Sequence, residues 1–282
     1  MTKLLVVAAF AAFAFSGCND TTLVEAIGPA PVAVIAADAS YAPLFLATFD
    51  GHGSHDSTGP IASYAWEIVT RPEGSQSLAA ARVSDPALAD FFVDLAGEYA
   101  VKLVVTDGDG LTGETTWRFS AIPSQQLHLE LLWPGQYTHA DLDLHLVDRT
   151  AGGTLWDADY DCYFSTCKSA MGRRDWGVTG NLADDPSLDI DNINQSVPEN
   201  INIAQPADGT YEIDVHYYGS SDAVDPPVEA EVRVFLMGSV AHDAHRVFSA
   251  VGQVWTVANV VCAGGACTIV PLDTMGTTSP GG

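Results

Sequence analysis

The sequence predicts an all-β protein, two antiparallel sandwiches in tandem, and three observations predict it. Short apolar runs with period-two alternation recur along the chain, divided by Gly, Pro, Asp and Asn. No stretch carries a sustained helical stripe. The pattern also breaks and restarts at residues 123–127, Pro-Ser-Gln-Gln-Leu, so the strands fall into two groups. With 282 residues, 47% of them hydrophobic, each group can bury a core. The expected division is a leader over 1–17, a tether over 18–28, a first domain over 29–122, a hinge over 123–127, an acidic second domain over 128–273 and a flexible tail over 274–282.

The leader opens with Met1, Thr2 and Lys3, continues as an apolar run over residues 4–15 and ends in Ser16, Gly17 and Cys18. Such a run is short for a bilayer span and has the layout of a cleaved secretory signal peptide. Phe15 to Cys18 resembles a bacterial lipobox, which implies lipidation of Cys18 as the first residue of the mature chain. Phe15 stands where Leu is commoner. The other reading is an ordinary signal peptide that happens to contain a cysteine. Either way the expectation is export, and the lipobox adds a lipoprotein anchored to the cell envelope, at the outer membrane or cell surface.

Charge narrows the partners. There are 36 acidic and 11 basic residues, a net of −25. That excludes nucleic acid, whose phosphates need Lys and Arg. Adsorption to anionic lipid is disfavoured as well, leaving the lipid anchor as the sole expected contact with membrane. The balance suits a soluble chain that recruits cations. Besides Cys18 the cysteines are Cys162 and Cys167, then Cys262 and Cys267. Two local disulfides are the simplest pairing, although four cysteines allow three connectivities. A tetrahedral zinc site is the rival, disfavoured by an oxidising compartment and by the spacing.

In the first domain Tyr64 and Trp66 alternate with small residues, supplying a bulky inner face. Asp107, Gly108, Asp109 and Gly110 form turn dipeptides. With the loop from Phe49 to Asp56, the Ser63-Tyr64 pair before Trp66, and Gly97-Glu98-Tyr99, this series resembles a polycystic-kidney-disease (PKD) repeat. The resemblance covers about 90 residues and implies an immunoglobulin-like β-sandwich. In some members the Asp-Gly-x-Gly-Ser-x-Asp loop holds a metal, which makes Asp50 and Asp56 secondary metal candidates. The alternative is a turn whose aspartates cap backbone amides.

In the second domain strands are expected over 128–133, 141–148, 188–193, 199–203, 210–218, 229–236, 247–262 and 268–272. Residues 141–148 read Asp-Leu-Asp-Leu-His-Leu-Val-Asp, a half-buried strand with Leu142, Leu144 and Leu146 inward. Asp141, Asp143 and His145 then share the other face, neighbours about 6.5 Å apart. Carboxylates so close repel unless a positive charge lies near. Asp189 and Asp191 repeat the pattern. Residues 149–187 lack periodicity, and a loop that long is functional or pinned, here by Cys162 and Cys167. Asp157, Asp159 and Asp161 alternate there too, as a further site or a solvated edge. These segments, with Pro198-Glu199-Asn200 and Gly209 to Tyr218, resemble an uncharacterised bacterial envelope domain, which implies a fold and a cluster but brings no activity.

Calcium takes six to eight hard oxygen ligands. Asp141, Asp143, Asp189, Asp191, Glu199 and Asn200 supply that kind of set if their strands adjoin, so calcium is the expected cofactor. A metal-free acidic face is the alternative. His145 and His216 are poor calcium ligands and would indicate a transition metal. Trp156, Tyr160 and Trp176 are candidates for a binding surface, against the plainer reading of packing. No Gly-x-Ser-x-Gly, His-Glu-x-x-His or phosphate-cradling loop occurs, and no carboxylate pair stands out as a glycosidase dyad. The expectation is therefore a non-catalytic binding, adhesion or interaction module whose partner is an envelope protein or a glycan. The alternatives are a carbohydrate-binding accessory protein and a secreted hydrolase using paired carboxylates.

Overall fold

The computed structural model describes residues 28–133, 139–168, 174–191, 198–221 and 227–277. The expected leader, Cys18, nearly all of the tether and the last five tail residues lie outside them. Among the described residues there is no α-helix, and the molecule is all-β.

The first sandwich comprises β1 (Ser40–Tyr41), β2 (Phe45–Asp50), β3 (Ser63–Thr70), β4 (Ala79–Arg82), β5 (Asp85–Val93), β6 (Gly97–Thr106) and β7 (Thr112–Ala121). One sheet runs β1-β7-β6-β3 and the other β2-β5-β4, an immunoglobulin-type division of seven strands. Inward positions follow period two, so Phe49, Phe91, Tyr99 and Phe119 meet between the sheets, Tyr99 stacked on Phe119 at 5.1 Å. Each such ring contributes about 1.5–3 kcal/mol by burial. Trp66 is half-buried against this core, its indole N–H donating to Pro86 O at 3.1 Å. Tyr99 Oη donates to Leu95 O at 2.9 Å, the tyrosine corner of such sandwiches. Asp107 Oδ1 accepts the amides of Asp109 and Leu111, both at 2.9 Å, while Gly110 takes φ +85°.

The second sandwich comprises β8 (Leu127–Leu132), β9 (Ala140–Asp148), β10 (Asp161–Cys162), β11 (Ser187–Ile190), β12 (Glu199–Ile203), β13 (Gly209–Ser220), β14 (Val228–Leu236), β15 (Ser239–Phe248), β16 (Gln253–Ala263) and β17 (Ala266–Thr277). Two five-stranded sheets face each other, β10-β9-β13-β16-β17 and β11-β12-β8-β14-β15. Leu142, Leu144 and Leu146 point into the core beside Tyr211, Ile213, Val215 and Tyr217, all of them buried. The predicted half-burial of residues 141–148 is wrong, however. Asp143 is 3% exposed and His145 fully buried, because the segment between β9 and β11 covers the outer face.

Two further corrections concern the C-terminal strands. The expected strand over 247–262 is the end of β15, a turn and then β16. β15 went unread because the β14-β15 hairpin turns at Met237 and Gly238, both at positive φ, and Met is not a turn residue by composition. Residues 274–277 are not tail but the end of β17, the edge strand paired with β16. The hinge segment is tied down as well. Gln126 Nε2 donates to Gly265 O at 2.6 Å, and Met237 N donates to Gln126 O at 3.0 Å.

β8 shows how the two sandwiches meet. Its outward residues His128, Glu130 and Leu132 are buried along with its inward leucines. Glu130 Oε1 accepts Ala96 N from the first sandwich at 2.7 Å, and Glu130 Oε2 lies 3.2 Å from an Arg233 guanidinium nitrogen. A buried carboxylate thus bridges the two bodies.

Candidate metal centre

The site is built on the outer face of β9 and β13. Their register sets His145 opposite Asp214 and His216 opposite Asp143, so polar residues from two strands form one patch. Over it lies the segment pinned by the Cys162–Cys167 disulfide; Cys262 and Cys267 form the second bond, across the β16-β17 turn. The pinned segment delivers Asp161 from β10, whose Oδ2 accepts Trp156 N at 2.7 Å and lies 2.9 Å from His145 Nδ1. Trp156 is held at φ +71°, a strained backbone for a bulky residue. Its ring edge sits over His145 at 4.5 Å and His216 at 4.8 Å, and Tyr163 stacks on His145 at 4.8 Å.

Inside this box polar atoms lack partners. Neither nitrogen of His216 makes a hydrogen bond, although the residue is only 2% exposed. His145 Nε2, Asp143 Oδ2, Asp161 Oδ1 and Asp214 Oδ2 are unpaired too. The approach of His216 Nδ1 to Asp143 Oδ2, 3.6 Å, is too long for a hydrogen bond. Each buried orphan costs about 1–3 kcal/mol. Burial raises the Asp214 carboxyl above its ordinary pKa. Burial alone would lower His145, yet Asp161, Asp143 and Asp214 together hold it above the usual imidazole value.

A second cluster adjoins the first at Asp143. Glu199 takes the first inward position of β12, ahead of Ile201 and Ile203, and its Oε2 accepts Leu144 N at 2.8 Å. Ligand oxygens of Asp143, Asp191 and Glu199 lie within 4.8 Å of one another. Asp141 stands beside them, its Oδ1 unpaired; burial, then Asp143 and Asp191, push its pKa up to about 7 against the pull of Lys168. Lys168 pairs with Asp191. A cavity of about 410 Å³, lined by Asp141, Asp143, Phe164 and Tyr218, opens onto both clusters at Asp143.

No protein-family model matches this sequence. No curated protein matches it either. Among solved structures the chain is similar to the PKD1 domain of Vibrio anguillarum Epp, with 28% identity over 34% of this chain and 96% of that one, at a TM-score of 0.26.

Of the six residues predicted as a calcium set, Asp143, Asp191 and Glu199 converge and Asp141 borders them. Asp189 and Asn200 do not join. A bulge between Leu188 and Ile190 turns Asp189 outward, where its Oδ2 accepts Asn202 Nδ2 at 2.7 Å. Asn200, next to Glu199 in an extended strand, faces the opposite way, and its Oδ1 accepts Ile190 N at 2.9 Å. Asp50 and Asp56 cap their own loop: Asp50 accepts His52 N at 2.8 Å and Asp56 accepts Thr58 N at 3.0 Å. Trp176 is no surface residue, being 2% exposed with its indole N–H on Asp159 O at 2.8 Å. Trp156 is half-buried against the histidines, and Tyr160 alone of the three candidates is exposed, at 38%. Asp161 as the partner of His145 was not foreseen; its place in the alternating Asp157, Asp159, Asp161 was the available hint.

Proposed function

We propose that the chain is an exported, non-catalytic binding module of a bacterial cell envelope, anchored through Cys18, with a PKD-type first domain and a second sandwich braced by a hard divalent cation of the calcium class. The observation that carries the cation is the convergence of Asp143, Asp191 and Glu199 oxygens within 4.8 Å, beside a fourth carboxylate, Asp141. Lys168 is the positive group paired into that cluster, too little charge for four carboxylates. Hard oxygen donors of this kind suit calcium. Two local disulfides support an oxidising compartment. The test is the thermal melt of the mature chain in calcium and in chelator. Calcium at a hundred times its Kd adds about 2.7 kcal/mol, hence about 5–10 °C in Tm for a domain of this size. Superimposable melts would overturn the cation.

A second reading, a carbohydrate-binding accessory protein, is favoured by one observation. The 410 Å³ cavity sets the rings of Phe164 and Tyr218 beside Asp141 and Asp143, apolar faces next to hydrogen-bond acceptors. Glycan binding that disappears in Tyr218→Ala supports it, and a glycan array without signal for the unaltered chain sinks it.

A further inference from the structure

We infer that the second sandwich also holds a divalent transition-metal ion of the zinc class on Asp143, His145 and His216. This site is separate in chemistry from the oxygen cluster proposed above, with which it shares Asp143 alone. One ligand atom from each of the three residues lies within 4.8 Å of the others, and the residues are 3%, 0% and 2% exposed. Two ligands at zinc distance stand roughly 3.4 Å apart in a tetrahedron, so closing the site takes side-chain shifts of about 1 Å.

The unpartnered atoms carry the argument. Asp143 Oδ2, His145 Nε2 and His216 Nδ1 and Nε2 all lack hydrogen bonds inside this box. No protein donor or acceptor lies within hydrogen-bond distance of His145 Nε2 or of either His216 nitrogen. A metal ion consumes a lone pair from each ring and one from the carboxylate. Its charge also answers the unpaired oxygens of Asp161 and Asp214 nearby.

The surroundings are those of a metal-binding histidine. Asp161 Oδ2 takes the Nδ1 side of His145, at 2.9 Å, which turns Nε2 toward the cluster. Trp156 and Tyr163 fix the ring planes. Two imidazoles with one carboxylate suit zinc and its neighbours, while calcium takes oxygen donors. The cavity at Asp143 gives the ion a route in from solvent.

The test uses the mature full-length chain. Metal content is measured as purified; the chain is then stripped with chelator and titrated with cobalt(II). The expected result is visible absorption that saturates at one cobalt per chain and is displaced by zinc. His216→Ala loses the band, Asp161→Asn weakens binding about 10–100-fold, and Glu199→Gln keeps it. Should His216→Ala fail to fold, zinc-induced shifts of histidine ring resonances in the unaltered chain decide the matter. They are expected at His145 and His216, not at the exposed His52 and His245. No stoichiometric metal before or after titration, or shifts at the exposed histidines alone, overturns the proposal. Calcium melts separate the two sites, since Glu199→Gln removes that response and spares cobalt.

Discussion

The two sandwiches apply one period-two pattern to different ends. In the first, β3 and β7 alternate as a half-buried strand should, with Trp66 and Trp117 on the core side and Glu67 outside, paired to Lys102 at 2.8 Å. In the second, β9 and β13 bury both faces over much of their length, leucines and tyrosines on one side and Asp143, His145, Asp214 and His216 on the other. Burying apolar rings needs only shape, whereas burying charge needs a partner for every atom. The first sandwich closes on an apolar core; the second buries on its outer face a polar centre whose nitrogens and oxygens lack hydrogen-bond partners.

Four changes break or sharpen that contrast. The largest effect is expected from Phe119→Ala, which removes a ring packed on Tyr41, Phe49, Phe91 and Tyr99. Denaturant unfolding should show a loss of about 3–5 kcal/mol, unaltered by metal. Next comes Glu130→Ala, which takes the acceptor from Ala96 N and leaves Arg233 with Glu231 as its ion-pair partner, and should cost about 3 kcal/mol. Calorimetry should then resolve two transitions in place of the single one expected of the unaltered chain. Replacing Cys162 and Cys167 together by Ser should cost about 2 kcal/mol through the short loop they close. Cobalt affinity should fall with it, because Asp161 hangs on that pin. Smallest is Arg246→Ala, which removes a surface pair with Asp273 and should move stability by less than about 1 kcal/mol.

Strand faces were legible wherever one side is apolar. Leu142, Leu144, Leu146 and the run from Tyr211 to Tyr217 announced themselves, as did both cysteine pairs. What stayed hidden was set by distant chain. The burial of His145 and His216 depends on the segment over them, which has no periodicity to read, and on a cross-strand register between residues about 70 apart in sequence. Asp189 escaped the predicted cluster through a single bulge, since a one-residue slip reverses the face of everything beyond it. Trp176 looked like a contact residue because composition cannot tell a ring at the surface from one folded beneath its own loop.

The outer margin of the second domain has a consequence for how copies of the chain meet at high concentration. β17 is twelve residues long, the kind of border along which a neighbouring copy would add its own ribbon. Its pairing with β16 shifts between Thr256 and Ala258, Pro271 offers no N–H, Asp273 turns at φ +51°, and Arg246 clasps the same point from the side. A newcomer would meet donors out of step along this seam. The border is thus self-terminating, so many copies can crowd together without knitting into fibres along it.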